Sequence, residues 1–583
     1  MKGLLITALL IIALGTSAQV KISGIVVSTR SKPVEGVSIT LKDSYDGGTS
    51  DSSGAFTFVT SEKGDHLLQV SASGYRPFEQ AVKITGAPLS ININLKELVT
   101  ELKAVIISAG TFEASESKRT TVLNPIDIVT TASANADVTS AIRTLPGTQQ
   151  VGESEGLFVR GGTAGESKIF IDGTVVNNFF FSSVPDLASR GRFSPFLFKG
   201  TVFSSGGYSA QYGQALSSVL LLESIDLPER SSASLGISTV GLNGSFQKLS
   251  KDKRTSWGVG YSWTNLLPYF KIVKQKPDYF AVPDFHNGEI NFRTKTSGSG
   301  ILKFYGYFNY SNLGLRRPDI DSTQLKDAFG LNNLNFYANL SWKEKLGKNW
   351  KMNVGLSFTN NQDKISNELQ DQSNVKQFIS GDTYYNKNFK IKVNGQFAVA
   401  KAVVERKFNG LNMLRFGGEY FYSRDESKFR LNKDPERLSK LSDNFKAAFA
   451  EVDLYATNDL AAKIGGRIEH SSLLEKVNIA PRISLAYKLG AESQASVAYG
   501  MFYQKPDNSN FLRGYNFPDP KYSKATHYIA NFQKVSRAYT LRTEIFYKKY
   551  DGLVKYQPAS NSNARLTNEG YGDAKGFEVF WRD

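Results

Sequence analysis

The sequence predicts a mainly β protein in three parts: an N-terminal β-sandwich, a small α+β domain, and a transmembrane antiparallel β-barrel. Three observations carry that prediction. From Ser231 onward, apolar and polar residues alternate with period two over roughly 350 residues, without helical stretches. Past the N-terminus there is no run of about 18 apolar residues, and mean hydropathy is −0.29. That excludes spanning helices but not a spanning barrel, in which lipid-facing and lumen-facing residues alternate. Aromatics make up 12 % of the chain, with 27 Tyr and 39 Phe, and 50 Gly suit many turns.

A chain of 583 residues exceeds one ordinary core, so several domains are expected. Without cysteine there are no disulfides, thiolate metal sites or cysteine nucleophiles. Net charge is +16, and +15 without residues 1–18, whose only charge is Lys2. The charges are spread along the chain with no dense basic block and no nucleic-acid motif. They are therefore read as a surface against outer-membrane lipid and lipopolysaccharide, and no nucleic-acid partner is expected.

In residues 1–18, Lys2 precedes an apolar run at 4–14 and a small-residue exit, Thr16-Ser17-Ala18. This is a signal peptide cleaved before Gln19, so the protein is exported. Residues 19–97 hold short alternating runs, among them 22–27, 37–41, 56–58, 67–70 and 91–95, separated by turn residues at 32–33, 46–48 and 51–54. That spacing indicates a β-sandwich, with Asp51 and Gly54 as turn formers. The linker at 98–120 contains Leu102-Lys103-Ala104-Val105-Ile106-Ile107-Ser108-Ala109. An apolar run there is either an exposed strand available to a partner's sheet edge or the last strand of the sandwich. In residues 121–227, Asp137 caps a helix stopped by Pro146, and glycines break short strands at 158–162 and 169–173.

Residues 228–583 carry the barrel pattern. In 539–548, Arg542 and Glu544 share the inner face while apolar residues face out, with aromatics at the ends. Tight connections fall near 297–300, 346–349, 409–410, 457–459, 489–491 and 535–537. Longer ones fall at about 266–285, 311–332, 362–387, 429–443, 504–522 and 550–571. Alternating short and long connections match the two ends of a membrane barrel of roughly sixteen strands.

Four motifs in order, Leu145-Pro146-Gly147, Val159-Arg160-Gly161-Gly162, Ile171-Asp172-Gly173 and Tyr212-Gly213, resemble the plug domain of TonB-dependent outer-membrane transporters. Gly24-x-Val26, 33–37, Asp51-x-x-Gly54-x-Phe56 and Ser73-Gly74-Tyr75 resemble the carboxypeptidase-regulatory-like domain, a non-catalytic N-terminal extension in members of the Bacteroidetes type. The resemblance implies that residues 121–227 are a plug inside the barrel and that 102–109 are the TonB box, captured by TonB of the inner-membrane energising complex. It also implies that Arg160 pairs with acidic groups on the wall, and that a scarce solute such as a siderophore is imported with no catalytic residue, cofactor or metal. Asp172-Gly173 reads as a hairpin turn. Phe179, Phe180 and Phe181, with Arg190 and Arg192, form either a substrate-facing loop or a hydrophobic anchor in the lumen. The family barrel has 22 strands, so this one is expected to be incomplete by about six, with a divergent smaller barrel as the alternative.

Two other readings remain. One is a surface adhesion barrel without transport. The other is a zinc carboxypeptidase built on His286-x-x-Glu289 with His470 or His527, a short match that recurs by chance. The linker lacks the longer ending of glycan importers, which leans the substrate away from oligosaccharides.

Overall fold

The computed structural model describes residues 19–29, 31–72, 75–96, 111–114, 123, 125–132, 134–149, 151, 156–184, 190–274, 277–490, 492–536, 539–557 and 565–582. Residues 1–18, read as a signal peptide, and residues 102–109, read as the TonB box, lie outside them. The chain divides into two compact units.

The first unit contains the sandwich. One sheet orders Ala55–Thr60, Val20–Ser28 and Leu89–Leu95; the other orders Gly47–Thr49, Ser38–Leu41, Gly64–Ser71 and Phe78–Ile84. Alternation places Ile91, Ile93 and Leu95 inside with Ile22, Ile39 and Leu68, while Asn92 and Asn94 face out. Asp51 Oδ1 accepts from the N–H groups of Ser53 and Ala55, which closes the expected turn.

The second unit is an inner domain enclosed by a sixteen-stranded sheet. Asp137 caps the helix Val138–Ile142 by accepting the Ser140 N–H at 2.8 Å. A five-stranded sheet runs Thr174–Val175, Ser167–Ile171, Ser218–Ser224, Phe198–Ser204, Thr111–Ala114. The last of these corrects the reading of 98–120 as wholly a linker. Residues 111–114 pair antiparallel with Phe198–Ser204 at the sheet edge, and so short a run amid polar neighbours carries no period of its own.

The wall strands follow in sequence order from Ser232–Ser238 to Arg565–Arg582. Their burial inverts that of a soluble protein. Asn335, Tyr337 and Asn339 are buried against the inner domain, whereas Leu334, Phe336, Leu356 and Phe358 are exposed. Tyr305, Tyr337 and Phe580, from the fifth, sixth and last strands of the sheet, pack on one core cluster with Ile142, Val159 and Phe193, so the sheet curves around the inner domain. No helix of the described residues is long and apolar enough to cross a membrane.

Several expected long connections are shorter than read. Leu325–Leu346 and Trp350–Asp371 have 22 residues each, against roughly 9–11 needed to cross a bilayer. The excess continues the ladder through 311–318, 325–332 and 362–371, taken from the sequence as loop because the strict apolar–polar alternation lapses there. The long connections 372–388 and 505–522 nevertheless share one end, and the short ones 295–300 and 347–349 share the other.

Candidate functional site

The inner domain is fastened to the wall by buried polar contacts, beginning at the glycine-flanked Arg160. Its backbone is left-handed (φ 50°) and its side chain fully buried. Glu544 and Glu578 stand opposite each other on adjacent strands, an arrangement that repels unless a cation lies between. Arg160 supplies it: Nε donates to Glu578 Oε1 at 2.9 Å, Nη2 lies 2.5 Å from Glu544 Oε1, and the guanidinium sits 4.4 Å over the Phe546 ring. The wall partners implied for Arg160 are thus present in the structure.

The Tyr208–Gly213 turn is gripped from several wall strands. Glu451 accepts from Ser209 Oγ and the Ala210 N–H, both at 2.9 Å. Lys401 Nζ donates to Gln211 O at 2.7 Å, and Arg482 donates to the carbonyls of Tyr208, Ser209 and Tyr212. Arg467 bridges Glu419 and Glu469 at 2.6 Å each. A Cβ on Gly213 would lie 2.2 Å from Glu469 Oε1 and 2.3 Å from Arg467 Nε, so only glycine lets the turn approach this pair. Burial pushes the Tyr212 phenol up to about 12.

Asp172-Gly173 is the two-residue turn of a hairpin, both residues with positive φ. The Asp172 carboxylate also accepts from the Ser224 N–H at 3.0 Å and from Lys303 Nζ at 3.1 Å. At the end of that sheet, burial would raise the Glu223 carboxyl, but Lys343 and Lys199 hold it down at about 2.

The loop read as substrate-facing divides. Phe179 takes the anchor alternative and not the substrate-facing one: it is buried in the core with Phe193, 5.3 Å between centroids, because Gly191 lets the ring close over it. Phe180 packs on the same cluster. Arg192 is buried, donating to Phe180 O, Asn309 Oδ1 and Asn333 Oδ1 at 2.8, 2.7 and 3.2 Å, with its charge 4.9 Å over Phe181. Phe181, Arg190 and Arg192 do line a cavity of about 770 Å³ with Tyr261, Glu289 and Asn287. That volume falls in the range that encloses a small ligand, roughly 300–1,000 Å³.

His286 and Glu289, three apart on the strand Asp278–Thr294, point to opposite faces. His286 Nδ1 meets Tyr261 Oη at 2.6 Å, while Glu289 accepts from Tyr305 Oη at 3.2 Å. Among the described residues, no group of three or more side chains able to hold a metal comes together. Sequence reasoning missed Ser209, Gln211 and Gln214 as wall contacts, and Glu451, Glu469 and Arg482 as their partners. The available signal was charged residues at alternate positions of otherwise apolar strands.

The comparisons agree with this architecture. The family model described as TonB dependent receptor-like, beta-barrel matches residues 278–582, and the CarboxypepD_reg-like domain model matches 22–107. No curated protein sequence matches the chain. Among solved structures, the outer-membrane transporter YddB from Escherichia coli is 11 % identical with TM-score 0.60, covering 82 % of this chain and 75 % of that one. A mutant of the ferric enterobactin receptor PfeA from Pseudomonas aeruginosa is 12 % identical (TM-score 0.59; 83 % and 79 % covered). A double mutant of the Serratia marcescens hemophore receptor HasR, in complex with its hemophore HasA and heme, is 11 % identical (TM-score 0.59; 82 % and 80 % covered).

Proposed function

The chain belongs to the TonB-dependent receptor family, and on that premise we propose that it binds a scarce solute at the outer membrane and imports it when TonB engages residues 102–109. The observation that carries this reading is the inner domain itself. It occupies the lumen as a plug, and the strand after the proposed box, Thr111–Ala114, is a four-residue edge of its sheet. Each ladder hydrogen bond contributes only about 1 kcal/mol net, so a pull on the box would be delivered first to the least stable edge of the plug.

The cavity beside Phe181 and Arg190 is the candidate reception site for cargo. Because similar structures include receptors for ferric enterobactin and for a heme-carrying hemophore, the solute is proposed to be a siderophore or haem. The N-terminal sandwich is an accessory, and residues 1–18 direct export. Deleting residues 102–109 from the full chain should abolish energised uptake of radio-iron-labelled ferric enterobactin or haem while leaving surface binding intact. Unchanged uptake of a bound probe would defeat the reading.

A further inference from the structure

The connection at 505–522 is a strap bonded along its length. At its start, the Lys505 N–H donates to Gln214 Oε1 at 3.0 Å and the Gln504 side-chain amide to Gly165 O at 2.8 Å, both acceptors on the inner domain. Lys505 Nζ donates to Asp443 Oδ2 at 2.7 Å, and Asn508 Nδ2 to Asp425 Oδ2 at 2.6 Å. Farther along, Asn516 O accepts the Leu566 N–H at 2.9 Å, and the Lys521 N–H donates to Asn568 Oδ1 at 2.8 Å. The strap therefore reaches from the strands Met413–Leu431 and Arg437–Tyr455 to Arg565–Arg582.

Gln214 is where the strap meets the plug. It is 7 % exposed and left-handed, with φ 58°, a conformation that non-glycine residues rarely adopt. Its amide is used in two directions. Oε1 takes the strap's N–H, while Nε2 donates at 3.0 Å to Glu469, which also binds the Arg467 that reaches Gln211 O. Four residues later begins Ser218–Ser224, paired with Phe198–Ser204, itself paired with Thr111–Ala114. A continuous line of hydrogen bonds and chain thus joins the strap to the root of the proposed box.

We propose that Gln214 is a positioning residue coupling the 505–522 strap to the inner sheet, so that displacing the strap loosens the Thr111–Ala114 edge. The purpose of this coupling rests on the import reading above; the coupling itself requires no transport, and its test uses none. Contiguity alone does not establish coupling, which shows as reciprocity and non-additivity.

The measurement is amide hydrogen exchange on the purified full chain in detergent. Asn508→Ala, which frees the strap from Asp425, should speed exchange at 208–213 and 111–114 about tenfold, and add nothing further in a Gln214→Ala background. Gln214→Ala should in turn speed exchange of the strap. Gln214→Glu keeps the acceptor for Lys505 but repels Glu469, so it should loosen 208–213 while the strap stays protected, a split that lost packing alone would not produce. Should a Gln214 variant fail to assemble, Asn508→Ala still decides. Unchanged exchange at 208–213 and 111–114 in Asn508→Ala, or simple addition in the double variant, overturns the proposal.

Discussion

The plug meets the wall along two seams that differ in how their buried charges are paired. Towards the strands from Phe389–Lys407 round to Arg565–Arg582, charged wall groups grip the plug, with rings such as Tyr208 on Phe502 packed between them: Arg160 lies between two glutamates, and Ser209–Gln214 are held by Glu451, Glu469, Lys401 and Arg482. Towards Ile301–Pro318 and Leu325–Leu346, at the level of Phe193, they are amides and rings. Arg192 rests on Asn309 and Asn333, and Phe193 lies among Tyr305, Tyr307 and Tyr337; ion pairs return at Asp172–Lys303, Asp226–Lys303 and Glu223–Lys343. Displacing the first seam leaves paired buried carboxylates without their cation, whereas the one buried cation of the second, Arg192, is shared among several neutral acceptors. The difference teaches that the first seam sets the plug's register, while the second, which borders the cavity, is the cheaper one to open.

The largest expected effect tests the ionic seam. Arg160→Ala leaves Glu544 and Glu578 facing each other and should cost about 3–5 kcal/mol in thermal or denaturant unfolding in detergent. A loss below about 1 kcal/mol, the scale of one neutral hydrogen bond, would break the comparison. On the other seam, Asn309→Ala removes one of several Arg192 acceptors and should cost about 1.5–3 kcal/mol, less than Arg160→Ala. A loss matching that of Arg160→Ala would erase the distinction.

The smallest effect is acid dependence. With its pKa depressed from 4.5 to about 2, Glu223 stabilises the folded state fully above pH 4.5, and that contribution is lost as pH falls through about 2. Because the side chain is 41 % exposed, solvent weakens the term. Glu223→Gln should therefore flatten the acid limb of a pH–stability profile slightly, without altering neutral pH dependence; an unaltered acid limb would remove Lys343 and Lys199 from the account.

The sequence was most legible where structure is local. Asp137 caps its helix, and Asp172-Gly173 turns its hairpin as read. Arg542, Glu544 and Lys548 are buried while Ile545 is exposed, as the alternation at 539–548 requires. Legibility failed where neighbours decide. Phe179, Phe180 and Phe181 are identical side chains in a row, yet Gly191, Phe193 and Arg192 send the first into the core and the third to the cavity.

By itself the sequence determined a mainly β chain with an N-terminal sandwich and an inside-out sheet, because lipid on one face and a polar lumen on the other impose a period of two on each strand. It determined the turns too, because glycine and aspartate set backbone angles within a few residues. Only the tertiary structure decided which carboxylates receive Arg160, a partner 418 residues away in the chain, and which amide joins the strap to the plug. Such pairings depend on how a curved sheet brings distant strands around a shared interior, and no local pattern encodes that distance.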